Sequence, residues 1–277
     1  MEKSQVSLDG KKHLPIGIFD SGLGGLTVLA AIHDLLPHED LIYFGDTARV
    51  PYGSKSKETV IQYSKEILYF LLEKKVKAIV VACNTASAQA IKELRTITQV
   101  PIIGVIEPAI NTLIKENPHE KKSAVIATKS TIRSQAYNNI LFQKESDILL
   151  YTKACPLLVP LIEEGIIQSE ITEKVIRLYI NQINEENIEF MILGCTHYPL
   201  LKPVFQKLYS KIKLIDSSLA VAHELIATLE KENLQNENNH KGKISLYVSD
   251  ITESLEDMTR LFFKHSINNI HKVNLGW

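Results

Sequence analysis

Several features that often betray a function are missing from the sequence, and each absence narrows the field. No apolar run approaches the ~20 residues that a membrane span needs, so no transmembrane segment is expected. The opening stretch, MEKSQVSLDGKKHLPIG, has no apolar core and no small-residue cleavage site, so no export leader is expected and a cytoplasmic setting is. Neither sign of charge prevails: 31 Lys plus Arg stand against 32 Asp plus Glu, for a net charge of −1. That balance offers no general basic footprint, so nucleic acid and anionic membrane are not expected partners. Cysteine is scarce, with three residues (Cys83, Cys155 and Cys195) and no CxxC pair. An odd count without that spacing points away from a disulfide framework or a zinc site and towards free thiols.

The 277 residues, 45% apolar and 23% charged, are ordinary for a globular protein and suffice for a real core in two small domains or one large one. Short apolar runs alternate with amphipathic segments of helical length. Strands are expected at 15–19, 41–45, 77–82, 101–105, 123–127, 148–151, 188–194, 213–215 and 243–248. Most are apolar on both faces, as parallel strands covered by helices on either side should be. Between them, 58–73 carries Val60, Tyr63, Ser64, Ile67, Leu68, Phe70 and Leu71 as a stripe at spacings of three and four. The alternation implies an α/β fold with mostly parallel sheets. The polar segment 230–243 has almost nothing to bury and reads as an exposed loop or frayed helix end before a last strand–helix pair.

A weak internal echo suggests two related lobes. AIVVACNT begins at Ala78 and FMILGCTH at Phe190, each a buried strand followed by Cys and then polar residues at a helix start. Asp-Ser also recurs after a strand, at Asp20-Ser21 and Asp216-Ser217. Ligands of open α/β sheets bind beyond the carboxyl ends of the strands, and a helix N-terminus favours thiolate over thiol. Cys83 and Cys195 both occupy such positions, with Asn84-Thr85 and Thr196-His197 following them. Buried packing is the alternative role for a cysteine, and it is the reading kept for Cys155, which Pro156 follows. Two acid–base thiols on opposite sides of one carbon would invert a stereocentre. Such chemistry needs no cofactor if placed hydrogen bonds stabilise the carbanion-like transition state.

Other residues carry two readings each. The turn from Asp20 to Thr27 is rich in glycine, and Asp46 lies about where a ribose-binding acid would fall. The last glycine of GxGxxG is nevertheless replaced by Thr27, and a turn in which Ser21 and backbone N–H groups meet a carboxylate fits better. Asp20 can alternatively serve as a plain N-cap. His197 can relay protons for Cys195, or simply be hydrogen-bonded at a helix start; with Cys195 it also makes half a metal site, without a second half. Glu163 and Glu164 close a short apolar helix before Gly165, where one of them can orient His197 or both can stay solvated.

Four segments in order carry a family resemblance: IFDSGLGGLT from Ile18, GDTARVPYG from Gly45, VACNTAS from Val81 and LGCTHYPLL from Leu193. Together they closely resemble the bacterial glutamate racemases, over residues 14–229 and more weakly to the end. The resemblance implies that Cys83 takes the proton from D-glutamate and Cys195 from L-glutamate, with Asp20, Glu163 and His197 as auxiliary acid–base groups. It places substrate contacts at Asp20, Ser21, Pro51, Tyr52, Gly53, Asn84, Thr85, Thr128, Thr131, Thr196 and His197. It implies no cofactor and no metal, glutamate as substrate, a homodimer, a possible peptidoglycan-precursor activator, and D-glutamate supply for peptidoglycan. It also implies one lobe from 1–107 plus 217–277 and another from 108–216, with the site in the cleft between them. Asp20 is expected near Cys83, His197 near Cys195, and Glu163 on His197. Aspartate racemase, a two-lobed periplasmic-type binding protein and a thiol redox sensor are the rival readings.

Overall fold

β-branched and aromatic side chains fill ten strands among the residues described by the computed structural model, which are 8–119, 121–184, 187–238, 240–251, 255–263, 267 and 269–276. The strands are β1 (Ile16–Asp20), β2 (Leu41–Gly45), β3 (Ala78–Val81), β4 (Ile102–Gly104), β5 (Ser123–Ala127), β6 (Leu150–Ala154), β7 (Phe190–Gly194), β8 (Lys213–Asp216), β9 (Ile244–Val248) and β10 (Ile270–Lys272). The first seven residues, which begin the stretch read above for a leader, lie outside the described residues. Among the described residues, no helix is long and apolar enough to cross a membrane.

Two sheets form, in the orders β10-β9-β2-β1-β3-β4 and β6-β5-β7-β8, and every pairing is parallel. The sheets share one internal plan. Within each lobe the second, first, third and fourth strands lie side by side, as β2-β1-β3-β4 and β6-β5-β7-β8. The fold is therefore two pseudo-symmetric α/β lobes, and Cys83 and Cys195 each follow the third strand of their own lobe. The Asp-Ser echo has a different origin. Asp20 ends a first strand, whereas Asp216 ends a fourth. Both carboxylates accept backbone N–H groups just after their strands, Asp20 Oδ2 those of Gly22 and Gly25 within a turn and Asp216 Oδ1 that of Ser218 as a helix N-cap.

Alternate residues of the first sheet feed two layers. Ile16, Ile18, Tyr43, Val80 and Ala82 pack into a core cluster that runs on into the second lobe, while Phe19, Phe44, Ile79, Val81 and Cys83 pack on the opposite face. The helix Lys57–Glu73 covers that opposite face with Val60, Ile67, Leu68 and Leu71, and the Ser56 hydroxyl caps it by accepting the Thr59 N–H. Two helices sit where the chain crosses between lobes. Ile106–Glu116 leaves the first sheet after β4, and Ser217–Lys231 returns after β8 to pack on the helices Leu26–Leu35 and Ile106–Glu116.

Two elements depart from the sequence reading. The strand expected at 148–151 lies at Leu150–Ala154. It is an edge strand, half-exposed beyond Leu150, so its backbone pairing with β5 continues through Thr152 and Lys153, where hydropathy alone would stop it. The three-residue edge strand β10 was not foreseen, because Ile270-His-Lys272 buries little and is held by pairing to β9. The polar segment 230–243 does not hang free: Leu234 is buried, and the Asn236 N–H reaches Glu39 at 2.9 Å.

Because Asp216 caps the returning helix and also pairs with Lys202, Asp216→Ala is expected to lower stability by about 1–2 kcal/mol. Urea unfolding monitored by far-ultraviolet circular dichroism measures this, and an unchanged midpoint would show that the cap is dispensable.

Candidate active site

Each sheet reverses its winding next to its first strand, so helices leave β1 and β3, and likewise β5 and β7, towards different faces. Such reversals open a crevice at the carboxyl ends of the strands. Here the two crevices face each other across one cavity of about 650 Å³, lined from the first lobe by Ser21, Tyr52, Cys83 and Asn84 and from the second by Thr128, Glu163, Cys195 and His197. Pro51, Gly53, Thr85 and Thr196 line it as well. Asp20 and Thr131 stand behind this wall, both buried.

Cys83 is the N-cap of the helix Asn84–Arg95, its Sγ accepting the Ala86 N–H at 3.4 Å. The thiol in turn meets Ser21 Oγ at 3.6 Å. Burial pushes this thiol up to about 12, and the negative charge of Asp20 adds to the rise, outweighing the helix-start N–H. Asp20 is itself raised by burial, against the opposing pull of His197 and of the Gly25, Gly22 and Ser21 N–H groups. Its Oδ1 is buried with no hydrogen-bond partner. Asp20 is not the N-cap of the following helix, whose N-cap is Gly25 without a side-chain cap; one Asp20 oxygen instead holds the glycine turn and the other is left over.

Cys195 follows β7, and His197 turns back to bring Nδ1 to 3.8 Å from Cys195 Sγ. On the other side of the ring, Nε2 meets Glu163 Oε1 at 3.1 Å. Glu163, and not Glu164, reaches the histidine because the helix Leu158–Glu163 ends there, and Gly165 at φ +71° turns the chain away. Burial pulls the imidazole down, but the bonds to Cys195 and Glu163 outweigh it and lift His197 to about 10. His197 is therefore an imidazolium near neutral pH. Phe262 packs its ring against the imidazole with centroids 5.1 Å apart. The glycine-rich turn touches it too: a Cβ at Gly24 would lie 2.4 Å from the imidazole. That turn needs glycine there to let the two lobes meet.

The lobes are also stitched directly. Thr85, Thr128 and Thr131 form a triangle of hydroxyls with edges of 3.0, 3.2 and 3.0 Å. Thr27 Oγ1 donates to the Thr196 carbonyl at 3.0 Å. Behind Tyr52, buried Asp46 receives the Tyr52 hydroxyl, Arg49 Nε at 2.8 Å and Ser249 Oγ at 2.8 Å. Asp46 is thereby committed to holding the Pro51-Tyr52-Gly53 segment, which removes the ribose-binding acid that a nucleotide reading requires.

Sequence reasoning missed the cationic part of the lining, Lys55, Lys57, Lys129 and Arg133. The two pairs, Lys55 with Lys57 and Lys129 with Arg133, come together only through the fold. It also placed Cys155 in packing alone. Cys155 is fully buried, as that reading holds, yet it borders the cavity beside Pro156, and its carbonyl accepts the Tyr198 hydroxyl at 2.9 Å. Among the described residues, no group of three His, Cys, Asp or Glu side chains is arranged to hold a metal ion.

With Glu163 removed as a carboxylate, the imidazole loses part of what lifts it. Glu163→Gln is expected to move the His197 titration down from about 10 towards 6.5, read from its ring proton signals by NMR. The sign of the linked stability follows. A raised folded value stabilises fully below 6.5, and that stability is lost as pH rises through about 10. The stability deficit of the variant should therefore be present at pH 6 and shrink at alkaline pH.

Comparison with known proteins agrees with this geometry. The Asp/Glu/Hydantoin racemase family model matches residues 24–225. The glutamate racemase of Aquifex aeolicus (strain VF5) is 45% identical over 254 residues, covering 92% of this chain and 96% of that one. The glutamate racemase of Persephonella marina is 45% identical over 263 residues, covering 95% and 98%. In three dimensions, the crystal structure of glutamate racemase from Francisella tularensis subsp. tularensis SCHU S4 in complex with D-glutamate superposes with a TM-score of 0.90 at 37% identity, covering 96% of this chain and 99% of that one. Over nearly its whole length, then, the chain belongs to the glutamate racemases of the Asp/Glu/hydantoin racemase family.

Proposed function

We propose that this protein interconverts L- and D-glutamate by proton transfer at Cα between Cys83 and Cys195, supplying D-glutamate for peptidoglycan synthesis. The observation that carries the reading is the placement of Cys83 from one lobe and Cys195 from the other on the wall of one cavity; Cys155 borders it too, but its Sγ donates to the Lys153 carbonyl, whereas Cys195 meets His197. In the L-to-D direction Cys195 removes the Cα proton and Cys83 delivers its own to the opposite face; the reverse direction exchanges the roles. Each transfer leaves one sulfur protonated and the other not, so a proton must be handed on before the next turnover.

The surroundings of the thiols suit that task. At neutral pH Cys83 holds its proton, since burial has pushed it to about 12. It is thus set to act as an acid. His197, an imidazolium held by Glu163, is the proton carrier beside Cys195. Asp20 lies beside Ser21 in the turn that the Cys83 thiol meets, and it also feels the charge of His197. The two proton-handling groups are therefore electrostatically linked. The substrate's carboxylates have donors to meet in Ser21 and Asn84 at the cavity wall and in the cationic lining from Lys55 to Arg133. These donors offset the negative charge that builds in the carbanion-like transition state.

We take the lobes as 1–107 with 217–277, and 108–216, opening about the two crossing helices to admit substrate. Residues at both ends of the first lobe lie outside the described ones. A homodimer, a peptidoglycan-precursor activator and a cytoplasmic location are expectations carried by the family resemblance.

Cys83→Ser and Cys195→Ser are each expected to lower racemisation of both enantiomers by roughly 10²-fold or more, because a hydroxyl is a far weaker acid and base. Cys155→Ser should leave turnover within a few-fold of wild type. Circular dichroism of D- and L-glutamate follows the reaction, and deuterium incorporation at Cα from heavy water tests the proton transfer itself. Near wild-type rates for Cys83→Ser in both directions would sink the two-thiol scheme.

A further inference from the structure

Asn84 opens the helix that Cys83 caps, and its side chain is 3% exposed on the cavity wall. Its Oδ1 accepts the Tyr137 hydroxyl at 2.6 Å, while its Nδ2 is buried with no hydrogen-bond partner. Tyr137 comes from the other lobe, in the helix Ala136–Gln143, and is 2% exposed. The chain enters that helix through Gln135 at φ +57°, braced by Ser134, whose hydroxyl donates to the Thr131 carbonyl and accepts the Ala136 N–H.

The direction of this hydrogen bond fixes the amide. A tyrosine hydroxyl can donate to an amide oxygen or accept from an amide nitrogen. Were the amide reversed, the phenolic hydrogen would be buried without an acceptor, since the hydroxyl has no other partner among the described residues. An unmade bond of that kind is unfavourable in a dry interior. Burial also raises the phenol, so it stays protonated and remains a donor at any working pH. The amide oxygen is thereby occupied, and the two N–H donors are left without a protein partner on a residue that lines the cavity, where an anionic substrate that reaches them would accept.

We propose that Tyr137 is a positioning residue for substrate binding: it locks the Asn84 amide across the lobe interface so that its NH2 group faces a substrate carboxylate. The inference rests on the racemase reading, with Asn84 as a carboxylate contact. Without the hydroxyl, the amide can turn its oxygen to the cavity and repel the carboxylate. With it, the donor is in place before substrate arrives, and only while the lobes stand in this relation.

A double-mutant cycle on glutamate racemisation tests the proposal, with KM and kcat measured for both enantiomers by circular dichroism. Tyr137→Phe is expected to raise KM about tenfold with kcat changed less than about threefold. Asn84→Ala should do at least as much, and adding Tyr137→Phe to Asn84→Ala should change KM no further. Melting temperatures of all four proteins show that each is folded. A tenfold KM loss from Tyr137→Phe that persists in the Asn84→Ala background, or no KM effect in the single variant, would overturn the positioning role while leaving racemisation intact. A wild-type protein inert towards both enantiomers would overturn the racemase reading and this inference with it. Should Tyr137→Phe fail to fold, Asn84→Asp tests the same orientation. Its second oxygen would face the cavity as an acceptor, and KM should rise well beyond that of Asn84→Ala; an equal rise would overturn the proposal.

Discussion

Parallel strand pairing sets where everything else in this molecule can be. Strands that all run one way present their carboxyl ends along a single edge, and the helices that follow present their N–H groups there. In this chain two such edges confront each other, with β1 and β3 opposite β5 and β7. Each edge supplies a thiol after its third strand, so the pseudo-symmetry of the fold becomes a near-symmetry of chemical groups. A reaction that must work on both faces of one carbon has the same requirement.

The symmetry ends at the level of electrostatics. Cys83 lies on an apolar layer with Phe19, Val81 and Ala86, and its partners are Ser21 and a helix N–H. Cys195 lies against an imidazolium that a half-exposed carboxylate holds in place. Burial dominates the raised Cys83 thiol. Two groups with the same intrinsic chemistry thus have unlike neighbours. Asp20 and His197 couple the two halves, because the glycine turn that holds Asp20 also lies against the imidazole.

Rigidity behind the site comes from buried polar groups that are nearly all satisfied. Asp46 gathers Tyr52, Arg49 and Ser249, tying the loop after β2 to the end of β9, and the Arg49 cation lies 3.9 Å above the Tyr63 ring. The threonine triangle does the same between lobes. Against that background Asp20 Oδ1 and Asn84 Nδ2, both beside the thiols, are buried without a hydrogen-bond partner.

Local pattern was enough for the α/β class, for the covered faces of β1, β3 and β7, and for placing Cys83 and Cys195 just after strands, since strand ends and helix starts are written in neighbouring residues. It was enough for the short helix before Gly165, though not for which of Glu163 and Glu164 reaches His197. The edge strands β6 and β10 escaped it because their stability comes from pairing, which leaves little trace in hydropathy. The contacts of Asn84 with Tyr137, of Gly24 with His197 and of Asp46 with Ser249 join residues 53, 173 and 203 positions apart. No periodicity of period two or 3.6 records such partners. The first two exist only after the two lobes have packed against each other, and the third only after β9 has paired with β2, so tertiary structure alone decided them: side-chain orientation in a buried cleft depends on what the opposite wall offers.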